Sequence, residues 1–136
     1  MLGLAQDLPP DLQRAKDALA RGQAELALNA SKQYLASYPG SQHTFTAQLI
    51  AGRAELALDR TDATIRRGYA ILHEAESSSP FVPDAWYLVA TAQQARGNHA
   101  DAASALVKVL DSNPSTTIQQ SALDHLDELL KGPAAY

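Results

Sequence analysis

Apolar positions along this chain recur every three or four residues, in stretches separated by short polar breaks, which is the period of helices that bury one face. The breaks fall at Arg21-Gly22, Tyr38-Pro39-Gly40-Ser41, Asp59-Arg60-Thr61-Asp62, Ser77-Ser78-Ser79-Pro80, Gly97-Asn98 and Ser112-Asn113-Pro114-Ser115. Pro9-Pro10 opens the first stretch, and Gly132-Pro133 follows the last. These residue types stop helices, cap them or start them. No stretch alternates strictly between apolar and polar, and Val and Ile, which strands favour, are sparse. The pattern therefore predicts seven helices of roughly 12 to 18 residues joined by short turns, stacked as antiparallel helix pairs.

Two segments have their own character. In residues 44–58, Ala47, Ile50, Ala51, Ala54 and Leu58 form one apolar stripe suited to packing. Phe45, Leu49, Arg53 and Leu56 form a second stripe on another face, so this helix is either buried on both sides or keeps one side for a ligand. In residues 115–131, Ile118, Ala122, Leu126 and Leu129 line one face, with Leu123 and Leu130 beside them. Gln119, Gln120, Asp124, Asp127 and Glu128 occupy the other. One polar face is what the end of a helical stack needs, so this segment is expected to cap it.

The pairs repeat. With Gly22 aligned on Gly97, Ala27 falls on Ala102, Leu35 on Leu110 and Pro39 on Pro114, and both copies keep five residues from glycine to alanine and seventeen from glycine to proline. The middle copy is degenerate, with Asp59 where the inter-helix glycine would stand. A shared internal period points to a helical repeat. Each repeated residue has a physical use: alanine lets helices cross closely, glycine takes the positive φ at a helix end, and proline cannot continue a helix.

Residues 83–116 resemble one complete tetratricopeptide repeat (TPR), through Trp86, Val89-Ala90, Gly97, Ala102 and Pro114. Gln93 and Leu106 depart from the family's aromatics. Residues 8–41 are similar in their second half only, through Gly22, Ala27, Leu35 and Pro39, and Tyr38-Pro39-Gly40-Ser41 resembles the ending found in bacterial cell-envelope members. The resemblance implies an all-α, right-handed superhelical stack of three TPR-like repeats, the middle one degenerate, plus the capping helix. The implied organisation is a tail over 1–9, one repeat domain over 10–131 and a tail over 132–136. It also implies a concave groove, lined by the first helix of each pair, that holds an extended or helical segment of a partner. The groove positions carry over to Leu12, Lys16 and Leu19, to Phe45, Leu49, Arg53 and Leu56, and to Tyr87, Thr91 and Gln94. One lysine, one arginine and no asparagine disfavour the subclass that clamps a chaperone's terminal carboxylate.

Composition narrows the remaining choices. The 136 residues are 46% hydrophobic and 19% charged, as in a folded globular chain rather than a disordered one. A net charge of −4 argues against nucleic acid, and no run reaches a membrane span's length. Residues 1–68 hold eight Lys/Arg against seven Asp/Glu, and residues 69–136 hold three against eight. That asymmetry either orients a partner or reflects solvated helix faces. Cysteine is absent, which removes disulfides and thiolate chemistry. His43, His73, His99 and His125 fall on different elements without metal-ligand spacing, and Asp124 beside His125 points elsewhere on a helix. No nucleophile elbow or phosphate loop is present.

These features predict a non-enzymatic protein-protein interaction module, an adaptor or scaffold, with no cofactor or metal. Its expected partner is an amphipathic or acidic segment of another protein; the alternative is a module that self-assembles within a larger complex. Gly3-Leu4-Ala5 has the form of an export cleavage scar, equally that of a native terminus, so the expected compartment is periplasm or cell envelope, with cytoplasm as the alternative.

Overall fold

The computed structural model describes residues 8–131. Residues 1–7 of the expected tail over 1–9, the expected tail over 132–136, the candidate cleavage scar and the Gly132-Pro133 stop lie outside the described residues. Leu8, assigned to the tail by sequence, is half-buried against the first core. Seven α-helices are described: α1 (Pro10–Ala20), α2 (Ala24–Ser37), α3 (Thr44–Ala57), α4 (Thr61–Glu74), α5 (Phe81–Ala95), α6 (His99–Asp111) and α7 (Thr116–Lys131). There is no strand among the described residues. Every internal break expected from the sequence separates two helices.

The connections alternate. Three residues join α1 to α2, α3 to α4 and α5 to α6, whereas longer loops join α2 to α3, α4 to α5 and α6 to α7. All three short turns are built alike. The middle residue, Gly22, Asp59 or Gly97, has a left-handed backbone with φ of 78°, 65° and 82°. The next amide then donates to the carbonyl five residues back: Gln23 to Ala18 at 2.8 Å, Arg60 to Glu55 at 2.8 Å, and Asn98 to Gln93 at 2.9 Å. This is a Schellman ending, which satisfies the last carbonyls of one helix while reversing the chain. Glycine adopts the required φ freely, but Asp59 does so at a steric cost.

The chain divides into two compact units, residues 1–60 and 61–136. In the first, α2 touches both α1 and α3, and α1 also touches α3. Its core joins Leu12, Ala15 and Ala18 of α1, Ala24, Ala27, Leu28 and Tyr34 of α2, and Ala47, Ile50, Ala51 and Ala54 of α3. The expected packing stripe of α3 is thus buried, apart from the half-exposed Leu58. Ser31 is fully buried but donates to Ala27 O at 2.8 Å, so its hydroxyl is satisfied. The Tyr34 hydroxyl meets Ser41 Oγ at 2.6 Å and ties α2 to the loop that follows it.

In the second unit α5 touches α4, α6 and α7, and α6 also touches α7. Val89, Ala90, Ala105, Leu106, Val109 and Ala122 form its principal core. Ala102 is fully buried. A close approach lies between α4 and α5: a Cβ added at Gly68 would stand 2.4 Å from Val89 Cγ2 and 3.1 Å from the Ala85 carbonyl oxygen. On α7 only Ala122 is buried, and the polar face expected there is exposed.

Two stability outcomes follow from these contacts. Asp59→Gly removes the left-handed penalty and should raise the unfolding free energy by roughly 0.5–1 kcal/mol; a lowered melting midpoint would contradict the turn geometry. Gly68→Ala should cost about 1–3 kcal/mol through overpacking, despite alanine's better helix propensity. Val89→Ala introduced alongside it should recover part of that loss, and strict additivity in the double-mutant cycle would place the two residues out of contact.

Candidate functional site

The ten candidate groove residues separate by burial and by unit. On α1, Leu12 has no exposed surface, Leu19 is half-buried and Lys16 is exposed. On α3, Leu49 is buried with 4% of its surface exposed, Phe45 and Leu56 are half-buried, and Arg53 is exposed. Leu12 belongs to the core and supports the surface from below, so the α1 positions open to a ligand are Lys16 and Leu19. Neither Lys16 nor Arg53 forms an ion pair among the described residues. Their charges are available to an external anion at the cost of displacing water alone.

In the second unit, Tyr87, Thr91 and Gln94 are all half-buried on α5, spaced four and three residues apart and therefore on one helix face. Tyr87 meets α7: its ring stacks on His125 with centroids 5.4 Å apart and planes 15° from parallel. Its hydroxyl lies 2.9 Å from His125 Nδ1. The Thr91 hydroxyl is turned back to its own helix, donating to Leu88 O at 2.9 Å. Burial pushes the Tyr87 pKa above its usual 10.0; the Ser121 hydroxyl opposes the shift, and the carboxylates of Asp124 and Glu128 add to it. The phenol keeps its proton at neutral pH and can donate to His125 Nδ1 in the tautomer that leaves this nitrogen unprotonated.

Sequence reasoning missed Ser121 and His125. A usable signal lay in the 34-residue period of the resemblance. Moving Tyr87, Thr91 and Gln94 on by one period lands on Ser121, His125 and Glu128, the α7 residues that face α5 or act on Tyr87. Asp124, the sequence neighbour of His125, diverted attention from a partner on another helix. The surface formed here combines an aromatic ring, an imidazole and two carboxylates, which together suit hydrogen bonding to an amide or a cation. Among the described residues no three His, Asp or Glu side chains gather where they would hold a metal ion. No helix there is long and apolar enough to cross a membrane.

The Tyr87 environment predicts an alkaline stability loss. A group whose folded pKa is raised holds its proton more tightly when folded. Its contribution is complete below about pH 10 and is lost as pH rises through the raised value. Tyr87→Phe should lower neutral-pH stability by roughly 0.5–1.5 kcal/mol through the lost hydrogen bond. It should also flatten the decline above pH 10 measured by chemical denaturation, and identical alkaline slopes would refute this assignment.

Comparison with protein-family models and with curated proteins finds no match for this chain.

Proposed function

We propose that this chain is a non-catalytic protein-protein interaction module, a TPR-like stack of helix pairs that holds a segment of a partner against the first helices of its pairs. The observation that carries this reading is the alternation of three-residue Schellman turns with longer loops, repeated three times. Within the units that alternation sets off α1-α2 and α5-α6 as packed pairs, with α7 left to cap the second. The side-by-side contacts of α1 with α3, and of α5 with α7, add support: within each unit the first helices adjoin, as an inner binding surface requires.

The expected ligand of the α1 and α3 surface is an acidic amphipathic segment, because exposed Lys16 and Arg53 stand beside half-buried Leu19, Phe45 and Leu56. The double variant Lys16→Glu/Arg53→Glu should fold normally, since exposed charge changes alter stability little. In affinity capture from extracts of the source organism it should lose the partner that the unaltered chain retains. Lys32→Glu/Arg66→Glu, which reverses exposed cations on second helices, should retain it. Loss with the control pair and retention with the first would overturn the assignment. Capture of the chain itself would favour the self-assembling alternative, toward which exposed Leu123 and Leu130 of α7 point.

A further inference from the structure

Trp86 precedes Tyr87 on α5, about 100° away around the helix, and meets Tyr69 of α4 and Lys108 of α6. A cavity of about 300 Å³ opens there, lined by Tyr69 of α4, Trp86 and Gln93 of α5, and Asp101, Ser104 and Lys108 of α6. That volume is at the lower limit of ligand cavities and admits one or two residues of an extended peptide rather than a helix.

The walls have a definite chemistry. The Tyr69 and Trp86 rings meet edge to face, with centroids 5.9 Å apart and planes at 85°, and so form an aromatic corner. Lys108 Nζ stands 5.6 Å from the Trp86 ring centroid. Neither Lys108 nor Asp101 has an ion-pair partner among the described residues. The Gln93 side-chain carbonyl accepts from Asn98 at 2.9 Å, which leaves its amide group as a donor toward a ligand. Asp101 and Lys108 are two helical turns apart on α6, roughly 10 Å along its axis. The cavity therefore has a cationic end at the aromatic corner and an anionic end away from it.

We propose that this cavity binds an extended peptide segment in which a proline adjoins a glutamate or aspartate. The proline ring enters the corner of Tyr69 and Trp86, as apolar rings of preformed extended peptides do in aromatic-lined sites. The adjoining carboxylate meets Lys108. A ligand cation at that end is disfavoured, because the Lys108 ammonium already occupies the space over the indole. Asp101 repels a second carboxylate at the far end and accepts from backbone N–H groups there, so the peptide has one orientation.

Trp86 is the only tryptophan, so its indole N–H resonance reports on this cavity alone. The probes are the blocked tetrapeptides acetyl-Ala-Pro-Glu-Ala-amide and acetyl-Ala-Pro-Gln-Ala-amide, titrated into the full chain. The glutamate peptide should shift the Trp86 signal saturably with a Kd of roughly millimolar order, and the glutamine peptide should bind about three- to fivefold more weakly. Lys108→Gln should abolish that difference, Lys108→Arg should keep it, and Tyr69→Ala should weaken both peptides. Lys108 is exposed, so its replacement leaves the core untouched. No saturable shift, equal binding of the two peptides, or discrimination that survives in Lys108→Gln would each overturn the proposal. The outcome is independent of the Lys16 and Arg53 experiment, which concerns the other unit.

Discussion

A left-handed residue in the middle of a three-residue turn is the constraint on which the rest of this protein depends. A helix that ends this way has its last carbonyls satisfied by the reversing chain itself, so no partner side chain is needed. With only three residues available, the following helix has little freedom in where it starts or which face it turns back. Gly22 and Gly97 impose this condition inside the two units, and Asp59 ends α3 with the same backbone conformation. The longer loops then return the chain, and in each unit two helices that are not consecutive come into contact, α1 with α3 and α5 with α7. Surfaces shared by such helices arise directly from the turn geometry.

The second constraint is the scarcity of large side chains in the interior. The first unit's core is mostly alanine, with Leu12, Leu28, Tyr34 and Ile50 among the few larger members. Gly68 carries the same economy to the crossing of α4 and α5, where even one methyl group has no room. Each buried alanine contributes little apolar area, so stability rests on many close backbone approaches rather than a few anchors. On α5 the aromatic side chains lie at the margins of the core. Trp86 and Tyr87 are consecutive on α5 and neither is fully buried. One turns to Tyr69 and Lys108, the other to His125. The aromatic and charged contacts of α5 are thus what an alanine-rich packing leaves outside.

Helix positions and turn positions were legible in the sequence because glycine, proline and capping residues act locally. The glycine alignment also located Asp59, whose backbone conformation matches that of the two glycines it replaces. The candidate groove was less legible, since its residues differ from core residues by a rotation of about 100°, one step along the helix. Leu12 and Leu49 have the composition of a ligand-facing stripe, but their burial depends on neighbours that no local pattern specifies. His125 illustrates the same limit: its partner Tyr87 is 38 positions away and becomes visible only once two helices are side by side. Its adjacent acid, Asp124, acts instead on the Tyr87 hydroxyl through space.

Charge distinguishes the two units. Residues 1–60 hold six Lys/Arg against six Asp/Glu, so the unpaired Lys16 and Arg53 face no net repulsion of an acidic ligand. Residues 61–136 hold five against nine. Several of those acids are engaged locally: Asp127 with Lys131 at 2.8 Å, Asp124 with Gln120 at 3.0 Å, and Asp62 with Arg96. Hydrogen bonding does not cancel their field, which still extends over a Debye length of about 8 Å at physiological salt. An acidic peptide is therefore not steered to the second unit from a distance. It must be retained by contact, by the aromatic corner first and by Lys108 once water between the charges has been displaced. For that reason the ring and the carboxylate belong in one short segment: either alone would meet a surface that holds it weakly or repels it.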